Sequence, residues 1–253
     1  MYVLPKGHAK SMKTILILAH PGHELRIFHW MELSGAVVCL LTDGSGGSAA
    51  SRTDYSRRAV AAAGAEVGPV FGPMSDKAWY EAILAQDSEP FRRVVDAVVA
   101  AARGASSVTV IADAVDGYNP VHDLTSAVGA AVAARLRASH RKVISLVSAA
   151  VPGVAGRARR EILLDTPARE RKAAAIHAYA PLAEEARRIF DEAPESFGKE
   201  TLLEQDFGWP DDFEPHWEKF ARERVATGRY LTPITYRDHV LPMARAILDH
   251  GSN

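Results

Sequence analysis

The stretch Thr14-Ile15-Leu16-Ile17-Leu18-Ala19 decides the fold. It is a continuous β-branched and leucine run with no polar alternation, the pattern of a parallel strand covered on both faces. Working outward, Ala36–Thr42 (AVVCLLT) repeats it and runs into the turn-rich Asp43–Ser48 (DGSGGS). Residues 24–34 between them can form a helix. Beyond, an alanine-rich helix over 53–65 ends at Gly64, and Val67–Phe71 is a short third strand. Residues 88–103 carry helical periodicity (FRRVVDAVVAAA) and close at Gly104; Ser107–Ala112 is the next strand, 123–139 another helix and Lys142–Val147 the last clear strand. Strand alternating with helix at this spacing predicts right-handed crossovers and an α/β, Rossmann-like, mostly parallel doubly wound sheet flanked by helices.

After about residue 156 the character changes. Residues 157–192 read as helical and charge-laced, 193–217 as irregular (GWPDDFEPHW), and 218–248 as helix interrupted by Pro233 and Pro242. The expected organisation is one domain over 1–253, with a core at 14–156 and a helical and irregular C-terminal wrap at 157–253. A chain of 253 residues is ample for such a core.

Thirty basic against thirty-one acidic residues leave a net charge of −1, with no basic arm or face, so nucleic acid is not an expected partner. The single cysteine, Cys39, excludes an internal disulfide framework and is compatible with a reducing cytoplasm. It lies mid-strand and no G-x-S-x-G elbow is present, so serine or cysteine nucleophilic hydrolysis is not indicated. No run approaches the ~20 apolar residues of a membrane span. The opening MYVLPKGHAKSMK is basic, but the apolar run Ile15–Ala19 is too short for a secretion signal. A cytoplasmic protein is expected, and self-association is compatible with the sequence. The glycine-rich Asp43–Ser48 lacks both dinucleotide and P-loop spacing.

Open α/β sheets bind ligands beyond the carboxyl ends of their strands. Three polar clusters sit at such ends: Ala19-His20-Pro21-Gly22-His23-Glu24, Thr42-Asp43-Gly44, and Asp113 followed by Asp116-Gly117-Tyr118-Asn119-Pro120-Val121-His122-Asp123. Two histidines three apart, with a third from a neighbouring loop, make a workable ligand set for Zn²⁺ or a similar borderline metal. Each alone reads first as an ordinary loop histidine with satisfied hydrogen bonds.

These residues carry a resemblance. Ala19 to Glu24 resembles the AHPDDE signature of the LmbE-like, or GlcNAc-phosphatidylinositol de-N-acetylase, superfamily. Thr42-Asp43-Gly44 matches its TDG turn, Arg52 through Ala63-Gly64 its arginine-bearing helix, Asn119-Pro120-Val121-His122 its HPDH loop, and Lys172–His177 its Lys-x4-His element. The likeness spans residues 14–180. It implies a Rossmann-like sheet and a zinc-dependent hydrolase that removes the N-acetyl group of an amino sugar.

The resemblance further implies that His20 and His122 are metal ligands and that His23 replaces a carboxylate ligand. Asn119 stands for a histidine that assists the oxyanion or the leaving amine. Gly22 stands where the general base should be, and a glycine cannot accept a proton. Glu24, Asp43, Asp113 and Asp116 are the nearest carboxylates by topology, Asp116 being the preferred replacement and Glu24 an orienting acceptor for a ligand. Arg52 is either a substrate contact or a solvated helix-start residue; Asp76 binds sugar hydroxyls or caps a helix with Ser75; His177 lines the pocket or packs on its helix. Trp209, Trp217, Tyr230 and Tyr236 are core aromatics of the wrap or stacking platforms for a sugar. The expected function is a metal-dependent amide hydrolase acting on an amino-sugar-type or sugar-derived small molecule. The alternatives are a non-hydrolytic metabolite-binding protein and an Fe²⁺ redox enzyme using the same three histidines.

Overall fold

The computed structural model describes residues 12–46, 50–139, 142–182, 197–228 and 231–252. Seven strands, β1 (Met12–Leu18), β2 (Val37–Thr42), β3 (Glu66–Met74), β4 (Ser107–Asp113), β5 (Lys142–Ser148), β6 (Arg157–Leu163) and β7 (Lys199–Glu204), form one sheet in the order β3-β2-β1-β4-β5-β7-β6. The first five are parallel, and β7 runs antiparallel to β5 and β6. The order turns back between β1 and β4, which is the switch point where the carboxyl ends of neighbouring strands diverge.

The central strands read as unbroken apolar runs because both their faces are covered. Ile15 and Ile17 of β1, Cys39 and Leu41 of β2 and Val108 and Val110 of β4 enter one core; Leu16, Leu18, Val38, Leu40 and Ile111 enter the other. The first core is closed by α3 (Asp76–Leu84), α4 (Glu89–Ala101), α5 (Pro120–Ser139) and α8 (Leu241–Ser252), with Trp79, Phe91, Val95, Leu136 and Ile247 fully buried. The second is closed by α1 (Phe28–Ser34), which follows a tight turn over His23–Ile27, by α2 (Thr53–Ala62) and by α6 (Thr166–His177). A last helix, α7 (His216–Ala226), lies on the first-core side through Trp217. No helix among the described residues is long and apolar enough to cross a membrane.

Helix α5 approaches the sheet so closely that a Cβ on Gly129 would meet the Ala112 Cβ at 2.4 Å. Gly129→Val is therefore expected to lose ~1–3 kcal/mol through overpacking, read as a lowered denaturant midpoint; an unchanged midpoint would mean that helix and sheet can separate freely.

The C-terminal third departs from the sequence reading. Arg157–Leu163 is strand β6 where helix was expected, and Lys199–Glu204 is strand β7 inside the stretch read as irregular. Strand β6 ends the sheet and is exposed along nearly its whole length, so RARREIL needs no apolar face and shows no period of two. In β7 the inward positions are Glu200 and Leu202, and the charge on one of them hides the alternation. Glu200 accepts hydrogen bonds from Lys172 Nζ at 2.7 Å and from the backbone N–H groups of His29 and Trp30 at 2.9 and 2.7 Å, so it closes the start of α1. Lys172 also donates to the Arg26 carbonyl at 2.8 Å. Residues 183–192 of the expected helix, Ser48 and Tyr230 lie outside the described residues.

Candidate metal centre

The carboxyl ends of β1, β2 and β4 are tied together by backbone and side chain. Thr42 N donates to the Ala19 carbonyl at 2.9 Å, and Ala19 N donates to Asp113 Oδ2 at 2.6 Å. The chain leaving β1 then turns sharply at Gly22, whose φ of +109° favours glycine. That turn sends His20 and His23 toward the same point, and the first turn of α5 delivers His122 to it. The three ring centres lie 5.5 Å (His20–His23), 5.0 Å (His20–His122) and 4.6 Å (His23–His122) apart, with interplanar angles of 69°, 69° and 77°.

Each ring is held through Nδ1 by its own carboxylate. His20 Nδ1 lies 2.8 Å from Asp76 Oδ1 and 2.9 Å from Thr42 Oγ1; His23 Nδ1 lies 2.9 Å from Asp113 Oδ2; His122 Nδ1 lies 2.8 Å from Asp116 Oδ2. A hydrogen on Nδ1 donated to a carboxylate leaves the lone pair on Nε2, the tautomer a metal ligand requires. The Nε2 atom of His20 is buried with no partner. Burial lowers the His20 pKa, partly offset by the Asp76 hydrogen bond, which keeps this imidazole neutral. Burial raises Asp76 and Asp113, but their histidine partners outweigh it, holding Asp76 at about 2 and Asp113 below the ordinary value. Three imidazoles face inward with three carboxylates behind them, an electrostatic arrangement that attracts a cation.

Imidazoles bound to one zinc at ~2.0–2.1 Å with tetrahedral angles have ring centres about 5 Å apart. The three observed separations bracket that spacing, and the orphaned His20 Nε2 would gain a partner. Among the described residues no group of three or more His, Cys, Asp or Glu is arranged, as it stands, to hold a metal ion, so the fit rests on ring spacing and on the Nδ1 anchors. A carboxylate that orients a ligand histidine typically contributes ~10–100-fold in metal affinity. Asp113→Asn is expected to weaken zinc binding by that factor in a chelator competition, and an unchanged affinity would show that His23 needs no such support.

The other sequence candidates fall into place differently. Asp116, the preferred base, has both oxygens engaged, Oδ2 by His122 and Oδ1 by the Tyr118 N–H at 2.8 Å, and its side chain has no exposure. It stands behind a histidine. Asp76, read as a sugar contact or a cap, is likewise a histidine anchor; its Oδ2 also accepts from Gly46 N at 2.8 Å, and the cap of α3 is Ser75. Asp43 stays in its turn, accepting from Ser45 N at 2.9 Å. Asn119 lines the cleft in front of the histidines, with Oδ1 accepting from Val121 N at 2.8 Å and Nδ2 donating to the Tyr80 hydroxyl at 3.0 Å. Arg52 both precedes α2 and lines the cleft, its Nε donating to the Gly44 carbonyl at 2.6 Å. His177 ends α6 as an exposed residue outside the cleft wall.

Glu24 is fully buried and accepts from Gly22 N at 2.8 Å, with its pKa raised by burial. A side chain at Gly22 would need the left-handed backbone and would place its Cβ 2.5 Å from Leu182 Cδ1. Trp209 and Tyr236 stack at 6.4 Å inside the first core. Trp217 lines the cleft and donates its Nε1 hydrogen to Asp123 Oδ2 at 2.8 Å. Asp123 Oδ1 accepts from the N–H groups of Asp116 and Gly117 at 3.0 and 3.1 Å, and burial raises its pKa to about 6. Sequence reasoning gave no role to Asp123, Thr42 or Tyr80. The only signal was their place beside the histidines in chain or topology.

No protein-family model matches the chain, and no curated protein matches it significantly.

Proposed function

We propose that the chain is a metal-dependent hydrolase, with zinc as its ion, that cleaves an amide on an amino-sugar-type or sugar-derived small molecule. One observation carries the reading: three imidazole rings at coordination spacing, each fixed through Nδ1 by a separate aspartate. The likeness of Ala19–Glu24 and Asn119–His122 to the de-N-acetylase motifs supplies the substrate class. A divalent ion at such a site supplies Lewis acidity toward a carbonyl and brings the pKa of water toward ~7.

The chain's own residues set the rest. His20, His23 and His122 hold the ion, and Asp76, Asp113 and Asp116 hold the histidines. Asn119 keeps one amide hydrogen beyond its bond to Tyr80, and on the cleft wall it supplies a donor for a developing oxyanion. Arg52, with its guanidinium at the cleft, faces the polar part of a substrate. Position 22 offers no carboxylate base, and such a base is typically worth ~10²–10⁴-fold, so turnover should be slow for this class.

A second reading, a metalloprotein on this fold that does not hydrolyse, with ferrous redox chemistry as its catalytic form, is favoured by the all-imidazole set and by the full engagement of Asp116. Purified protein loaded with Zn²⁺ or Fe²⁺ separates the two. Zinc-dependent amine release from a panel of N-acetyl amino sugars is expected. A zinc-replete protein that releases no amine from any of them, or one whose activity is indifferent to the metal, would overturn the hydrolase reading.

A further inference from the structure

We propose that the substrate carries a bulky apolar group on each side of the scissile amide, one seated against each face of the sheet, an inference that rests on the hydrolase reading above. The cleft in front of the histidines has a volume of about 1460 Å³. Pockets that enclose a drug-sized ligand run to ~300–1,000 Å³, so a bare N-acetyl sugar fills only a fraction of this one.

The walls show how the remaining space is divided. Leu25, Ile27 and Ile176 line the cleft and belong to the second core, with Leu182 and Phe197 packed against that core. Trp217 lines it and belongs to the first core, with Tyr80 and Ile234 packed against that one. The two cores lie on opposite faces of the sheet, because consecutive residues of β1 alternate between them. One cleft lined from both cores therefore crosses the carboxyl edge of the sheet. His20 and His23 line the same cleft at the switch point between β1 and β4, where the crossing occurs. Phe220 of α7 extends the first-core wall and stays 52% exposed, an apolar ring facing water until something covers it. An acetyl group offers a single methyl to either wall.

The test uses the full chain loaded with zinc and four probes: N-acetylglucosamine, N-hexanoylglucosamine, and the hexyl glycoside of each. Binding is measured by calorimetry and amine release is followed separately. A buried methylene is worth roughly fourfold in affinity, so the hexanoyl and hexyl groups should each tighten binding at least ~10-fold, even with partial burial. Leu182→Asp and Phe220→Asp place a charge on opposite walls, and each should flatten one of the two gains more than the other. Affinity that is flat or falling along either series overturns the two-walled substrate, and so does a pair of variants that flatten the same gain. Tighter binding on both arms without amine release supports the two walls and overturns hydrolysis. Amine release from the acetyl compound with no gain on either arm leaves hydrolysis standing and overturns the two walls.

Discussion

His122→Ala is expected to weaken zinc binding by more than ~100-fold, beyond the ~10–100-fold that loss of an orienting partner causes. The substitution removes one of three donors and leaves Asp116 without the Nδ1–H it accepts. His122 sits in the first turn of α5 and belongs to neither apolar core, so the metal-free protein should lose only the ~1–3 kcal/mol of a buried acceptor left with the Tyr118 N–H alone. Competition with a chromophoric chelator measures the affinity and a thermal scan measures the fold. A variant that keeps parental zinc affinity would remove His122 from the ligand set.

Lys172→Ala is expected to cost the fold about 3–5 kcal/mol, because it strands a buried carboxylate. Lys172 and Glu200 meet at 2.7 Å with side chains 3% and 0% exposed, and burial lowers the lysine pKa against the pull of Glu200. Glu200 would keep the His29 and Trp30 N–H groups but lose its only counter-charge among its named partners. The double substitution Lys172→Met with Glu200→Gln should recover part of the loss, since neither charge is then buried. Denaturant unfolding with an unchanged slope reads both values. A loss under ~1 kcal/mol for the single variant would place the pair in solvent-like surroundings. The same pair joins α6, β7 and the start of α1, so its failure should loosen the second-core wall of the cleft.

The central parallel strands β1, β2 and β4 were legible because they are buried on both faces and so carry no competing pattern. Strands β6 and β7 were not. Strand β6 is an exposed edge whose residues answer to solvent, and β7 hides its inward face behind the charge of Glu200. The three histidines were legible from their places at strand ends, which topology alone brings together. The roles of the carboxylates were not, because chain proximity fixes neighbourhood but not direction. Asp116 was expected to meet water, and Asp76 to meet sugar or cap a helix, and both turn to an Nδ1 atom instead. Asp76 reaches His20 from the start of α3, after a strand whose pairing to β2 shifts register twice, and the Gly68-Pro69 and Gly72-Pro73 pairs mark those irregularities without fixing where the following helix points. Gly22 was read as a missing base; the structure adds that its backbone conformation and Leu182 both disfavour a side chain there.

X-ray absorption at the metal edge, combined with anomalous diffraction from zinc-loaded crystals, would show directly whether the three histidines hold one ion. The expected result is one ion per chain bound by the Nε2 atoms of His20, His23 and His122 at ~2.0–2.1 Å, the usual zinc–imidazole distance, with Asp76, Asp113 and Asp116 still on the Nδ1 atoms. An ion bound by any of those carboxylates in place of a histidine, or a zinc-saturated crystal with no peak between the three rings, would contradict it.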